Sequence, residues 1–181
     1  MRRILALRGL FKPSAHRLAG QGLYEAATRQ ARRPAFYLEL QAPDTVEGRF
    51  ELYTLHVVLL LHRLKGLGGE AGRTSQSLFD AYLQALDDTL REMGVGDLSV
   101  GKKMRRLGEA FYGRAKAYDA ALAGADPAAL DALIGRTIYA GVEGAPSARL
   151  VDYVRRSVTA LAGSPVEAVI AAKLDWPEIA A

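Results

Sequence analysis

A lysine placed after spaced glycines is the arrangement that holds nucleotide phosphates. Gly96-Asp97-Leu98-Ser99-Val100-Gly101-Lys102 has that spacing. The chemistry would be capture of phosphate oxygens by backbone N–H groups and an ammonium. The next residue is Lys103, where such a loop needs Ser or Thr for magnesium, and the pattern before it is helical rather than a strand. The stretch therefore reads better as a turn between two helices, with glycines supplying backbone freedom and Ser99 capping the second helix. Arg105 and Arg106 follow, so Lys102, Lys103, Arg105 and Arg106 crowd the first two turns of that helix. Cations in this position oppose the helix dipole. They lie off the Val100, Met104, Leu107 stripe and are expected at the surface, where Arg105 can pair with Glu109 four residues on. Two readings stay open: a solvated charged face, or a docking surface for an anionic partner such as lipid headgroups, RNA or an acidic protein. Few aromatics interleave with these charges, so stacking of single-stranded bases has little support, and no DNA partner is expected.

Other residue types capable of chemistry are sparse. His56 and His62 stand about 120° apart around a helix, so they cannot share one ion as an i,i+4 pair does. His16 lies in a different segment, and neither His-Glu-x-x-His nor Glu-x-x-His occurs. His56 reads as a packed, hydrogen-bonded core residue, with partner recognition as the alternative. Glu47 and Glu51 share a helical face, but Arg49 and a capping role account for them. The absence of cysteine removes thiol nucleophiles, disulfides and thiolate metal sites. A Gly-x-Ser-x-Gly elbow is also absent. No catalytic residue, metal ligand or cofactor is assigned.

These residues must be positioned by helices. A chain of 181 residues, half of them hydrophobic and 24% charged, suits one soluble domain with a sizeable core. Helical periodicity dominates, and no convincing alternating strand is seen. The first helix should run from Ala15 to Arg32 and stop before Pro34, with Ala35 to Pro43 crossing to the second. Asp44 as N-cap with Glu47 three residues on forms a capping box for the second helix, which continues to Lys65. Its Leu52–Leu61 core is apolar but too short for a span and bounded by charges, so it reads as a central buried helix. After a loop containing Gly66, Gly68, Gly69 and Gly72, the third helix should start at Thr74 or Ser75 and end at Gly94. The fourth should start at Ser99, the fifth at Asp126-Pro127, the sixth at Ser147, and a short seventh at Ser164-Pro165. The expectation is an all-α single compact domain of about six to seven helices, covering residues 14–181.

The net charge is +4 and the pI near 9.4, with the excess concentrated early. Arg2, Arg3, Arg8, Lys12 and Arg17 precede the first acidic residue, Glu25. Residues 1–13 form a basic amphipathic segment, and its apolar run is too short and interrupted for a secretory signal. A frayed tail, a helix on anionic lipid and an organelle-targeting presequence all fit. On the lipid reading, Arg2, Arg3, Arg8 and Lys12 contact the membrane.

Two stretches, Arg29 to Lys65 and Ser75 to Leu122, resemble the ubiquinol–cytochrome c chaperone family. The resemblance rests on Pro43-Asp44-Thr45, then Gly48-Arg49-Phe50, His56 and Phe79-Asp80. Arg91-Glu92-Met93-Gly94-Val95-Gly96-Asp97, Ser99-Val100-Gly101-Lys102 and Phe111-Tyr112-Gly113-Arg114 follow in order. It implies an assembly factor rather than an enzyme, one that helps newly made cytochrome b mature into respiratory complex III. Implied partners are cytochrome b as client, the ribosome near its tunnel exit, and a small partner subunit. The alanine- and arginine-rich composition suits a bacterial member working peripherally at the cytoplasmic face of the inner membrane, or on the matrix side in a mitochondrion. The family supplies no agreed catalytic residues. Lys102, Lys103, Arg105 and Arg106 are the candidate anionic docking surface. Asp44, Thr45, Gly48, Arg49 and His56 either fix the helix arrangement or contact the client. On the residues alone, a nucleic-acid or ribosome-binding module and, more remotely, a small-molecule enzyme remain alternatives.

Overall fold

The computed structural model describes residues 14–124, 126–140 and 142–179. The basic segment carrying Arg2, Arg3, Arg8 and Lys12 lies outside the described residues. Among the described residues the fold is entirely helical: α1 Ala15–Ala31, α2 Ala35–Leu38, α3 Val46–Leu64, α4 Gly69–Glu92, α5 Asp97–Ala123, α6 Pro127–Thr137, α7 Ser147–Gly163 and α8 Val166–Ile170. The helix beyond the expected seven is α2, a single turn within the Ala35–Pro43 crossing. It forms because Pro34 adopts helical backbone angles and its carbonyl accepts from the amides of Tyr37 and Leu38.

α3 is the central helix. Its residues Leu52, Leu55, Val57, Val58, Leu59 and Leu60 are buried, and it packs against α1, α4, α5 and α7. Being apolar on nearly all sides, it must be surrounded, because each leucine left in water would cost about 1.5–3 kcal/mol. No helix among the described residues is long and apolar enough to cross a membrane. α1 lies along α4 at close range. A Cβ on Gly20 would sit 2.5 Å from Ser77 Cβ and 2.7 Å from the Leu78 nitrogen, so glycine sets this approach.

Three helix starts differ from expectation. The cap of α3 is Thr45, not Asp44: its Oγ1 accepts from the Gly48 amide at 3.0 Å. The third residue of the helix is therefore Gly48, and no reciprocal carboxylate completes a capping box. α4 begins at Gly69, five residues before Thr74, because its first turn is built on glycines, with Gly69 at φ +60°. The Gly72 amide donates to the Gly68 carbonyl, and a Cβ on Gly72 would come within 2.9 Å of the Leu67 carbonyl oxygen. α5 begins at Asp97 with Gly96 as cap, so the basic quartet falls in its second and third turns, beyond the region where the dipole acts most strongly. The expected stop at Gly94 forms as a Schellman turn. Gly94 has φ +79°, its amide donates to the Arg91 carbonyl, and the Val95 amide donates to the Leu90 carbonyl. Asp126 caps α6 through the Ala128 amide at 2.9 Å, as its Asp-Pro pattern implies.

Candidate functional site: a buried histidine hub, an aromatic pocket and a basic corner

The chain from α2 into α3 carries Asp44, Thr45, Gly48 and Arg49, and later elements hold it in place. The Tyr139 hydroxyl donates to the Leu40 carbonyl at 2.5 Å, and Arg149 Nη1 donates to the Glu39 carbonyl at 2.8 Å. Gln41, directly after these two residues, takes φ +54°, a left-handed backbone beside the clamped carbonyls. At Gly48 a Cβ would fall 2.1 Å from the Pro43 carbonyl oxygen, so the turn closes only over glycine. Arg49 Nε donates to Asp44 Oδ1 at 2.5 Å, and this hydrogen bond holds the Asp44 carboxyl below its ordinary range. The same guanidinium lies 5.9 Å from the centroid of the Tyr37 ring. Asp44, Thr45 and Arg49 are exposed.

Arg49 stands at the rim of a cavity of about 390 Å³ between α1, α2, α3 and α4. Tyr24, Tyr37, Phe50, Tyr53 and Leu86 supply its apolar wall, and Arg32 is the second rim cation. Tyr24 meets Tyr53 edge to face at 5.6 Å. Burial holds the Tyr53 phenol far above its ordinary range, so it stays neutral. Val46, 74% exposed, adds apolar surface to the cavity's lining. An aromatic recess with guanidinium groups at its edge suits an apolar segment that carries acidic groups.

His56 lies behind this region and is fully buried. Its Nδ1 is 2.7 Å from the Leu52 carbonyl, which can only accept, so Nδ1 carries the proton and donates. Nε2 then accepts from the Tyr153 hydroxyl at 2.9 Å, and that hydroxyl accepts from Gln30 Nε2 at 2.9 Å. Burial lowers the His56 pKa to about 4, against a smaller upward pull from the Leu52 carbonyl. Phe36 and Trp176 meet the imidazole edge to face, each at 5.2 Å. One neutral ring therefore joins α1, α2, α3, α7 and the C-terminal segment. With both nitrogens occupied and no exposed surface, His56 acts here as a tie between helices.

A second buried tie differs from the sequence expectation. Glu51 pairs with Arg114 of α5 rather than with Arg49. Arg114 Nε donates to Glu51 Oε2 at 2.6 Å, and its Nη2 donates to Oε1, a bidentate fork. This contact spans 63 positions, and no local spacing rule could find it. The Phe111-Tyr112-Gly113-Arg114 motif contained the signal, since an arginine beside a buried aromatic stripe needs a carboxylate partner.

Lys102, Lys103, Arg105 and Arg106 are all exposed. Among the described residues none of them has a hydrogen-bonding or ion-pair partner, including the anticipated Arg105–Glu109 pair. A Cβ at Gly96 or Gly101 would meet nothing within 4 Å, and Gly101 lies inside α5. The stretch is helix rather than a loop wrapped around an anion, which removes the phosphate-loop geometry. The basic corner, the aromatic pocket and the His56 hub are separate features: the first two are surfaces and the third is interior.

Comparison with known proteins gives these features a family. The chain is similar to ubiquinol-cytochrome c reductase complex assembly factor 1 of Drosophila melanogaster, 27% identical over 169 residues, covering 87% of this chain. The match spans 63% of that relative's length. It is similar in fold to the crystal structure of the Cbp3 homolog from Brucella abortus, with TM-score 0.83, 34% identity, and coverage of 99% of this chain and 98% of that one. Residues 38–176 match the family described as ubiquinol-cytochrome C chaperone, a range that includes the aromatic pocket's α3 wall, His56 with its partners Tyr153 and Trp176, and the basic corner. The chain belongs to the ubiquinol–cytochrome c chaperone family.

Proposed function

We propose that this chain is a non-enzymatic chaperone that binds newly made cytochrome b and assists its assembly into the ubiquinol–cytochrome c reductase complex. The observation that carries the reading is the coincidence of family membership over residues 38–176 with an apolar, arginine-rimmed recess whose α3 and α4 walls, including Arg49, lie in that range. Cytochrome b is built from long apolar helices, which need cover before they pack. A recess of about 390 Å³ holds one or two large side chains of such a segment. Arg32 and Arg49 would orient it through acidic or carbonyl groups. Asp44 and Thr45 shape the entry to α3, and His56 holds the helices that form the pocket wall. Client capture beside the ribosome and peripheral attachment at the cytoplasmic face of the inner membrane belong to the same reading. A strain lacking this chain is expected to lose cytochrome b and complex III activity while its cytochrome b transcript persists. Normal cytochrome b levels and normal complex III activity in that strain would contradict the proposal.

A further inference from the structure

The turn joining α4 to α5 combines two kinds of exposure. Leu98 is 101% exposed and Met93 is 69% exposed, and the Schellman turn at Gly94 and Val95 brings the end of α4 to the start of α5 between them. Behind them stand Lys102, Lys103, Arg105 and Arg106, free of partners among the described residues. The local acids do not cancel them. Asp97 is engaged by Arg91 at 2.6 Å, which leaves Glu92 and Glu109 as the free carboxylates nearby.

Spacing places Leu98, Lys102 and Arg105 on one side of α5, whereas Lys103 stands about 140° around the helix from Leu98. Leu98, Lys102, Arg105, Glu109, Tyr112 and Lys116 recur at three and four residues and form the outward stripe of α5, with Arg106 beside it. The opposite stripe, Val100, Met104, Leu107, Phe111 and Tyr118, packs against the core. α5 therefore cannot rest on a bilayer by its apolar face, as a free amphipathic helix does. It can present only a corner with two apolar side chains at the tip and cations behind.

We propose that the α4–α5 corner is a wedge for anionic bilayers, with Leu98 and Met93 entering the acyl boundary while Lys102, Arg105 and Arg106 meet the headgroups. This rests on the peripheral attachment proposed above and identifies the surface that makes it. A leucine moved from full exposure into hydrocarbon raises partitioning by roughly ten- to a hundred-fold. Each cation held near an anionic surface adds about five-fold. A nucleic acid would use the cations but has no use for the two apolar side chains.

The chain has no cysteine, so a Leu98→Cys variant accepts a single environment-sensitive fluorophore. With phosphatidylcholine vesicles containing phosphatidylglycerol, its emission should shift to the blue and be quenched by nitroxide lipid. The same label at Thr159→Cys, exposed on α7, should not respond. Neutralising Lys102, Arg105 and Arg106 together to Gln should weaken vesicle binding about a hundred-fold, and Leu98→Asp should weaken it at every salt concentration. Unchanged melting curves would establish that these exposed changes leave the fold intact. The proposal is overturned if the fluorophore at position 98 stays in water while the protein floats with the vesicles, or if the cations bind RNA but not vesicles. Cytochrome b plays no part in this measurement, so its failure leaves the chaperone reading standing, and failure of the deletion test leaves the wedge standing.

Discussion

His56 has both ring nitrogens occupied, and its neutral form is the native one. Because its folded pKa is lowered to about 4, the unfolded chain binds a proton at this residue below about pH 6.5 while the folded chain does not. Its contribution is therefore fully present above about pH 6.5 and is lost as the pH falls toward 4, by roughly 3 kcal/mol in total. Urea titrations across that range should show this slope, and a His56→Gln variant should lose most of it. Tyr153→Phe should destabilise the protein by about 1–3 kcal/mol, because it leaves the Gln30 amide and His56 Nε2 buried without their partner. The character of His56 was readable from its place in an apolar helix. Its partners were not, since Tyr153 lies 97 positions away and Gln30 reaches Tyr153 across 123. The cap of α3 shows the same limit: Asp44 and Thr45 are both good caps by type, and the choice went to Thr45 because Asp44 is engaged by Arg49.

At the scale of elements, glycines separate into those that touch something and those that do not. Gly20→Ala should push α1 off the α4 backbone and cost about 1–3 kcal/mol. Gly113→Ala, in open space on the exposed side of α5, should stabilise by about 0.5–1 kcal/mol. Thermal melts of the two variants should move in opposite directions. The α3–α5 contact depends on the Glu51–Arg114 fork. Arg114→Met should destabilise by about 3 kcal/mol, since Glu51 is left buried and unpaired, and adding Glu51→Leu should restore much of the loss. Helix identity was legible from periodicity almost throughout, because amphipathic stripes such as Phe79, Tyr82, Leu86 and Val100, Leu107, Phe111 are local patterns. Helix starts were less legible where glycines stood in the first turn. Gly69 and Gly72 look like loop residues by type, but Gly72 is needed for the close approach of the Leu67 carbonyl.

On the scale of the whole molecule, a rigid helical core presents two different surfaces. One is an aromatic recess between α1, α2, α3 and α4 with Arg32 and Arg49 at its rim; the other is the α4–α5 corner with exposed Leu98 and Met93. The family resemblance was readable from ordered motifs, and those motifs turn out to be both structural and surface features. Gly48 closes a turn, Arg114 completes a buried pair, and Lys102 stands free. The recess itself was not readable, since it draws residues from four helices that only packing brings together. The central claim is that this recess receives cytochrome b. A photo-crosslinking amino acid placed at Phe50, on the wall of the recess, tests it in growing cells. The account predicts a covalent adduct with newly synthesised cytochrome b, weakened by Arg32→Glu. Efficient crosslinking at that position to other proteins, with no cytochrome b among them, would contradict it.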